Sequence, residues 1–190
     1  MEKPLLIKYV LPFIQWYALM IGLAIGIDFL LHFFHLVFIG RYLGIIGTFF
    51  VVGSFVYSLR KRKIIQSGSP KKLLQLHEYL AWIGSIMLLV HAGIHFNAWL
   101  PWMAILMLLI TVGSGLVGKF LLKKANESLK ERRLALLNAG ETKELADKQL
   151  FFDSITVDMM KKWRVVHLPI TLLLSVLALL HIISIILFSK

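Results

Sequence analysis

Five long apolar runs separate the polar segments of this chain of 190 residues. They lie at about 11–35, 42–59, 77–97, 101–122 and 163–188. Each is close to the roughly 20 residues that a helix needs to cross a hydrocarbon layer of about 30 Å. The first run lacks a small-residue cleavage site, so we expect a true span rather than a removable signal peptide. The pattern predicts an all-α integral membrane bundle of five transmembrane helices in a single domain.

A longer polar segment, at residues 123–162, separates the fourth run from the fifth. Leucines recur among charges in its first part, and Asn138 to Gly140 predict a helix stop. A second short amphipathic piece has an apolar side formed by Leu145, Leu150, Phe151 and Phe152. We interpret the segment as an amphipathic inner connector that packs on its own bundle, lies on the inner membrane surface or docks a partner.

The positions of the basic residues indicate an orientation. With the amino terminus inside, 19 of the 21 Lys and Arg residues fall in inner segments, and Arg41 and Lys190 remain outside. Because Lys and Arg in short loops resist translocation, we expect a multi-pass protein of the cell membrane with a cytoplasmic amino terminus and an outer carboxy terminus. The net charge of +11 is then mainly a topology signal. Nucleic-acid binding is not expected, since no basic stripe lies on a soluble module.

The composition restricts the class of protein and the kinds of metal or redox site that the chain can form. Hydrophobic residues make up 58% of the chain and charged residues 16%, which argues against a soluble globule and against disorder. There is no Cys, which excludes disulfides, thiolate metal sites, iron–sulfur ligation by the chain and covalent c-type haem attachment. Redox or metal chemistry therefore has to depend on the seven histidines.

Four of these histidines repeat one spacing. His77 and His91 in the third run, and His167 and His181 in the fifth, are fourteen residues apart. Fourteen residues rise about 21 Å along a helix and return to nearly the same face. The two spans run in the same direction, so His77 pairs in depth with His167, and His91 with His181. A flat macrocycle with axial imidazoles above and below needs such facing pairs, which predicts two b haems.

Neighbouring residues suit this interpretation. Gly84 lies midway between His77 and His91, where a macrocycle edge would press on the backbone. Haem propionates need cationic partners near the membrane surfaces, for which Arg164 with Lys162 on the inner side and Arg41 on the outer side are candidates. His95 is an alternative outer ligand, although it matches the depth of His181 less well than His91 does.

Asp28 and His32 lie one turn apart near the outer end of the first run. A carboxyl group at membrane depth is expected to be protonated, paired or functional. We expect an outer quinone site, where both side chains exchange protons with a quinol; an ion pair inside the bundle is the alternative. His32 or His35 together with His95 can also bind a further haem or metal.

Two segments carry a resemblance to known proteins. Residues 76–95, LHEYLAWIGSIMLLVHAGIH, and residues 163–182, WRVVHLPITLLLSVLALLHI, resemble the helices of diheme b-type cytochromes. That group includes the cytochrome b of quinol-oxidising respiratory complexes and the transmembrane domains of ferric reductases and NADPH oxidases, whose ligands sit on the third and fifth helices. The resemblance implies that the four axial ligands of two b haems are His77, His91, His167 and His181.

The chain also departs from those families. It has five runs where the ferric reductases have six, it has no Pro-Glu-Trp-Tyr quinol motif, and no segment is large enough for a flavin or nucleotide domain. We therefore expect a membrane electron-transfer subunit of an oxidoreductase rather than a complete enzyme. Its partners would be the lipid membrane, separate donor and acceptor subunits, and a quinone. The alternative function is a membrane metal-binding or transport protein whose outer site is formed by Asp28, His32, His35, His91 and His95.

Overall fold

The computed structural model describes residues 11–94, 99–117 and 122–188, which form eight helices and no strand. The helices are α1 (Leu11–Phe33), α2 (Ile39–Ser54), α3 (Val56–Lys61), α4 (Pro70–Ile94), α5 (Trp99–Leu116), α6 (Leu122–Asn138), α7 (Lys143–Gln149) and α8 (Phe151–Phe188). In the described part of the chain, five segments are long and apolar enough to cross a membrane: α1, α2 with α3, α4, α5 and α8. The prediction of five long apolar helices in an all-α fold is confirmed.

Several helix ends differ from the predicted runs. The first helix ends at Phe33, and the second is interrupted at Phe55, whose N–H bonds to the carbonyl three residues earlier. The largest difference is at the connector. Because α8 begins at Phe151, residues 151–162 continue directly into the fifth run instead of forming part of a separate amphipathic piece. Phe152 is 81% exposed there, and its ring contacts that of Phe151, with ring centres 5.7 Å apart.

The predicted helix stop in the connector is confirmed. Helix α6 ends at Asn138, and Gly140 adopts a φ of +87°. The N–H groups of Gly140 and Glu141 donate to the carbonyls of Leu137 and Leu136, each at 3.1 Å. This pattern satisfies the last carbonyls of a helix and needs a left-handed residue, a conformation that glycine adopts without a steric cost.

The chain divides into two compact units. The first comprises residues 1–18 and 109–175 and therefore contains α6, α7 and the first part of α8. Its buried apolar cluster is formed by Val117, Ala125, Val157 and Met160, with Phe13 and Leu129 packed against it. This cluster holds α6 on the start of α8.

The second unit comprises residues 19–108 and 176–190 and is centred on the antiparallel pair α2 and α4. The backbones of the two helices come into close contact at Gly47 and Gly84. A Cβ atom on Gly84 would lie 3.0 Å from the carbonyl oxygen of Gly47, and one on Gly47 would lie 3.1 Å from that of Gly84. Small residues at such a crossing bring two backbones into contact, as is common between membrane helices.

Large apolar side chains cover much of the surface of the long helices. Ile25 on α1, Phe49 on α2 and Ile186 on α8 are 65%, 72% and 73% exposed. A water-soluble domain rarely exposes continuous apolar surface of this extent. The five apolar helices are therefore compatible with a multi-pass membrane protein.

Candidate functional site

His91 on α4 is oriented by the backbone of α2. Its Nδ1 lies 2.9 Å from the carbonyl oxygen of Gly40. A carbonyl oxygen only accepts hydrogen bonds, so Nδ1 carries the proton and Nε2 carries the lone pair. A histidine that ligates a metal through Nε2 commonly donates its other N–H to a carbonyl in this way.

His77, at the other end of α4, makes the same kind of hydrogen bond. Its Nδ1 lies 3.0 Å from the carbonyl oxygen of Ser54 on α2, and its ring centre is 5.7 Å from that of Tyr57. Gly40 and Ser54 are fourteen residues apart, as are His77 and His91. The antiparallel register of α2 and α4 therefore supplies one carbonyl oxygen for each imidazole.

His181 on α8 lies opposite His91. The two ring centres are 6.4 Å apart and the ring planes are inclined by 59°. Iron–nitrogen bonds of about 2.0 Å on both sides, with about 1.1 Å from each nitrogen to its ring centre, would put two imidazoles that hold one iron about 6.2 Å apart. The separation of the two ring centres therefore fits a bis-histidine haem iron.

His167 belongs to the first unit and has a different anchor. The hydroxyl of Ser114 on α5 donates to the carbonyl oxygen of Thr111 at 2.7 Å and accepts from His167 Nδ1 at 2.7 Å. The carbonyl oxygen of Thr111 is also 3.2 Å from His167 Nδ1. Nδ1 is thus the protonated nitrogen here as well. His77 lies in the second unit, so the pairing of His77 with His167 stays a prediction from the sequence.

The contacts of the residues predicted to surround the haems do not test that predicted role. The Cβ position of Gly84 points at α2, where Val51 and the backbone of Gly47 lie 3.0 Å away. Helix packing accounts for this glycine, and its contact with a macrocycle stays a prediction. Arg41 and Lys162 are exposed, and the side chain of Arg164 lies outside the described residues, so their pairing with propionates stays a prediction.

The structure brings Asp28 and His32 together on α1. His32 Nδ1 lies 3.0 Å from the backbone carbonyl oxygen of Asp28 and 3.6 Å from its Oδ1. That Oδ1 atom is buried and has no hydrogen-bond partner among the residues that the structure describes. The carboxyl group packs on Gly93 of α4, where a Cβ atom would lie 3.1 Å from its carbon. A buried acceptor without a partner is costly, which marks this carboxyl group as a place where a donor can bind.

The alternative metal site is not assembled by the described residues. Among them, no group of three or more His, Asp or Glu side chains is arranged to hold a metal ion. His35 follows the end of α1 with a φ of +57°, and its N–H donates to the carbonyl of His32. It therefore serves as the turn residue of a helix end. His95 lies outside the described residues.

The sequence interpretation missed the anchors on α2 and α5, namely Gly40, Gly44, Ser54 and Ser114. One signal for them was present: Gly40 and Ser54 repeat the fourteen-residue spacing of the histidines, and Gly47 and Gly84 mark the two midpoints. Gly44 packs directly on the His91 ring, which no spacing rule indicates. The sequence pattern does not identify Ser114 and Thr111 as partners of His167 either, because this role depends on which helix lies beside α8.

Comparisons with known proteins yield no relative: no family model, no curated protein and no solved structure matches this chain.

Proposed function

We propose that this chain is a membrane-embedded b-type cytochrome that transfers electrons as a subunit of a larger oxidoreductase. The observation that carries the proposal is the pair His91 and His181, whose ring centres are 6.4 Å apart while His91 Nδ1 is held by a carbonyl of α2. A haem bound there supplies one-electron chemistry, since its iron alternates between the ferric and ferrous states. The absence of Cys excludes thiolate ligation and covalent c-type attachment, and histidine ligation is typical of b-type haem.

The residues of the chain have three tasks in this proposal. The imidazoles of His91 and His181 would hold the haem iron, and the carbonyl oxygen of Gly40 fixes the ring orientation of His91. The apolar helices exclude water, which lowers the local dielectric constant and helps to set the reduction potential. The matched sequence positions of His77 and His167 support a second haem nearer the inner surface, which would supply a second redox centre.

The first test is the haem content of the purified protein. Expressed with an adequate haem supply and purified in detergent, the chain should be red, with about two haems and reduced-minus-oxidised bands of a b-type cytochrome. His91→Ala and His181→Ala should each remove the same haem, and His77→Ala and His167→Ala the other. His35→Gly is the matched control, since His35 forms a helix end, and it should retain both haems. A colourless wild-type protein that holds zinc or iron at one site contradicts the proposal and supports metal binding or transport.

We assign Asp28 and His32 to an outer quinone site within the same proposal. The support is the buried Asp28 Oδ1 with no partner in the described chain, beside an imidazole that is half exposed. A quinol hydroxyl can donate to this carboxylate, and both side chains can accept protons when the quinol is oxidised. Gly93, on which the carboxyl group packs, lies two residues after His91, so the quinone site adjoins the segment that carries the outer ligand.

The quinone assignment has its own test. Asp28→Asn and His32→Gln should slow haem reduction by a quinol analogue by about a hundredfold or more, the loss typical of removing a general base. Reduction by dithionite, which needs no proton acceptor, should remain as fast as in the wild type. Unchanged quinol-driven reduction in both variants would remove Asp28 and His32 from the mechanism and leave the haem proposal intact.

The proposed setting is the cell membrane, with all five apolar helices inserted, the amino terminus cytoplasmic and the carboxy terminus outside. The donor and acceptor at the two surfaces are a quinone or separate protein subunits. The connector between α5 and α8 then lies on the cytoplasmic side, where a soluble partner can reach it.

A further inference from the structure

The structure assigns Gly44 of α2 as the positioning residue of the outer haem ligand His91, an inference that rests on the proposed function. A Cβ atom at position 44 would lie 2.7 Å from both Cγ and Nδ1 of His91 and 2.8 Å from its Cδ2. Real Cβ contacts do not become this short, and Cγ is the fixed base of the ring rather than its movable end. Any side chain at position 44 therefore has to displace the imidazole.

The displacement acts on two features of the site together. Gly44 lies one turn after Gly40, so the ring that rests on Gly44 is the ring that bonds to the carbonyl of Gly40. Moving the ring away from α2 lengthens the hydrogen bond that selects the Nδ1–H form. It also changes the distance and the inclination relative to His181, which now suit one iron atom. The absence of a side chain at Gly44 thus determines the plane and the depth that the His91 ring can adopt.

The other glycines of α2 have different surroundings, which makes them controls on the same helix. A Cβ atom on Gly53 would lie 3.6 Å from Leu80, an ordinary contact. A Cβ atom on Gly47 would crowd Met87 at 3.0 Å and the Gly84 carbonyl at 3.1 Å, so it would disturb the helix crossing without pressing on the His91 ring. Gly53→Ala is therefore a neutral control, and Gly47→Ala is a control for packing alone.

The experiment compares Gly44→Ala with these controls in the full chain purified in detergent. Gly44→Ala should lose the outer haem, or keep it with an altered low-spin electron paramagnetic resonance signal and a shifted midpoint potential, because both depend on the angle and strength of the axial imidazoles. The inner haem signal should persist. Gly53→Ala should match the wild type, and Gly47→Ala should lower the thermal midpoint while the haem it retains keeps its spectrum. A Gly44→Ala protein with wild-type haem content, spectrum and potential overturns the assignment.

A second measurement needs no haem. Thermal midpoints of the apoprotein should fall for Gly44→Ala when His91 is present and should recover when His91 is replaced by Ala, because the clash is with that ring. The decrease in thermal midpoint caused by Gly47→Ala should persist in the same His91→Ala background. If the wild type binds no haem, the proposed function fails, and this comparison still tests the contact. If haem binds but Gly44→Ala lowers the thermal midpoint equally with and without His91, the positioning role of Gly44 is wrong and the proposed function is unaffected.

Discussion

Four of the described imidazoles direct Nδ1 toward a backbone carbonyl oxygen, and His32 does so at 3.0 Å to Asp28 of its own helix. His77, His91 and His167 each direct Nδ1 toward a backbone carbonyl oxygen, at 3.0, 2.9 and 3.2 Å. A neutral imidazole in this arrangement carries its lone pair on Nε2, which is the form needed to bind iron. Because His32 shares it, the pattern suits ligation and equally suits a histidine that only satisfies its own polarity.

His35 occupies the left-handed position after α1, with a φ of +57°. A side chain in this conformation costs about 1 kcal/mol of folding free energy relative to glycine. We expect His35→Gly to raise the free energy of unfolding by about that amount without changing haem content. Lys63, with a φ of +61° after α3, is the matched control, and Lys63→Gly should have a similar effect. Denaturant unfolding followed by circular dichroism measures both variants; loss of a cofactor in His35→Gly alone would identify His35 as a ligand.

At the scale of elements, the register between α2 and α4 orients the imidazoles of His77 and His91. The glycine contact between Gly47 and Gly84 brings the two backbones together, and this closeness places carbonyls of α2 within reach of side chains on α4. Helix α2 carries no histidine, yet it orients both histidines of α4. A helix without histidine thus orients these side chains through its backbone carbonyls.

Two ion pairs that link the helices of the connector differ in how deeply they are buried. Arg132 on α6 bonds to Asp153 on α8 at 2.9 Å, with side chains only 18% and 13% exposed, whereas the pair Arg133 and Asp147 is about half exposed. Breaking a largely buried pair leaves a charge in a poor dielectric, so Arg132→Ala should lower the free energy of unfolding by about 2 kcal/mol or more. Arg133→Ala should cost less than about 1 kcal/mol. Equal losses in thermal or denaturant unfolding would show that burial does not govern these pairs.

For the whole molecule, the distribution of cations predicts the orientation, since 19 of 21 Lys and Arg residues fall on one side of the proposed topology. Alkaline phosphatase fused after Lys190 should be active in a bacterial host, because the enzyme folds only outside the cytoplasm. The same enzyme fused after Ala139, in the connector, should be inactive, and green fluorescent protein fused there should fluoresce. Activity at both fusion points, or at the connector alone, contradicts the proposed orientation.

The sequence by itself determined the features that depend on short stretches of chain. Five apolar runs and the stop at Gly140 were readable because hydrophobic length and turn chemistry are local properties. The fourteen-residue spacing of the histidines was readable for the same reason, since it follows from the geometry of a single helix. The extension of α8 back to Phe151 was not readable, because the helix continues through a polar stretch that packs on α6.

Only the tertiary structure decided which groups hold the imidazoles. The pairing of His91 with the carbonyl of Gly40, its contact with Gly44 and its separation from His181 all depend on how distant helices are aligned. A carbonyl is present at every residue and a glycine at 13 positions, so neither identifies itself by its type. Their roles arise from helix register, which is set by the packing of side chains far apart in the chain.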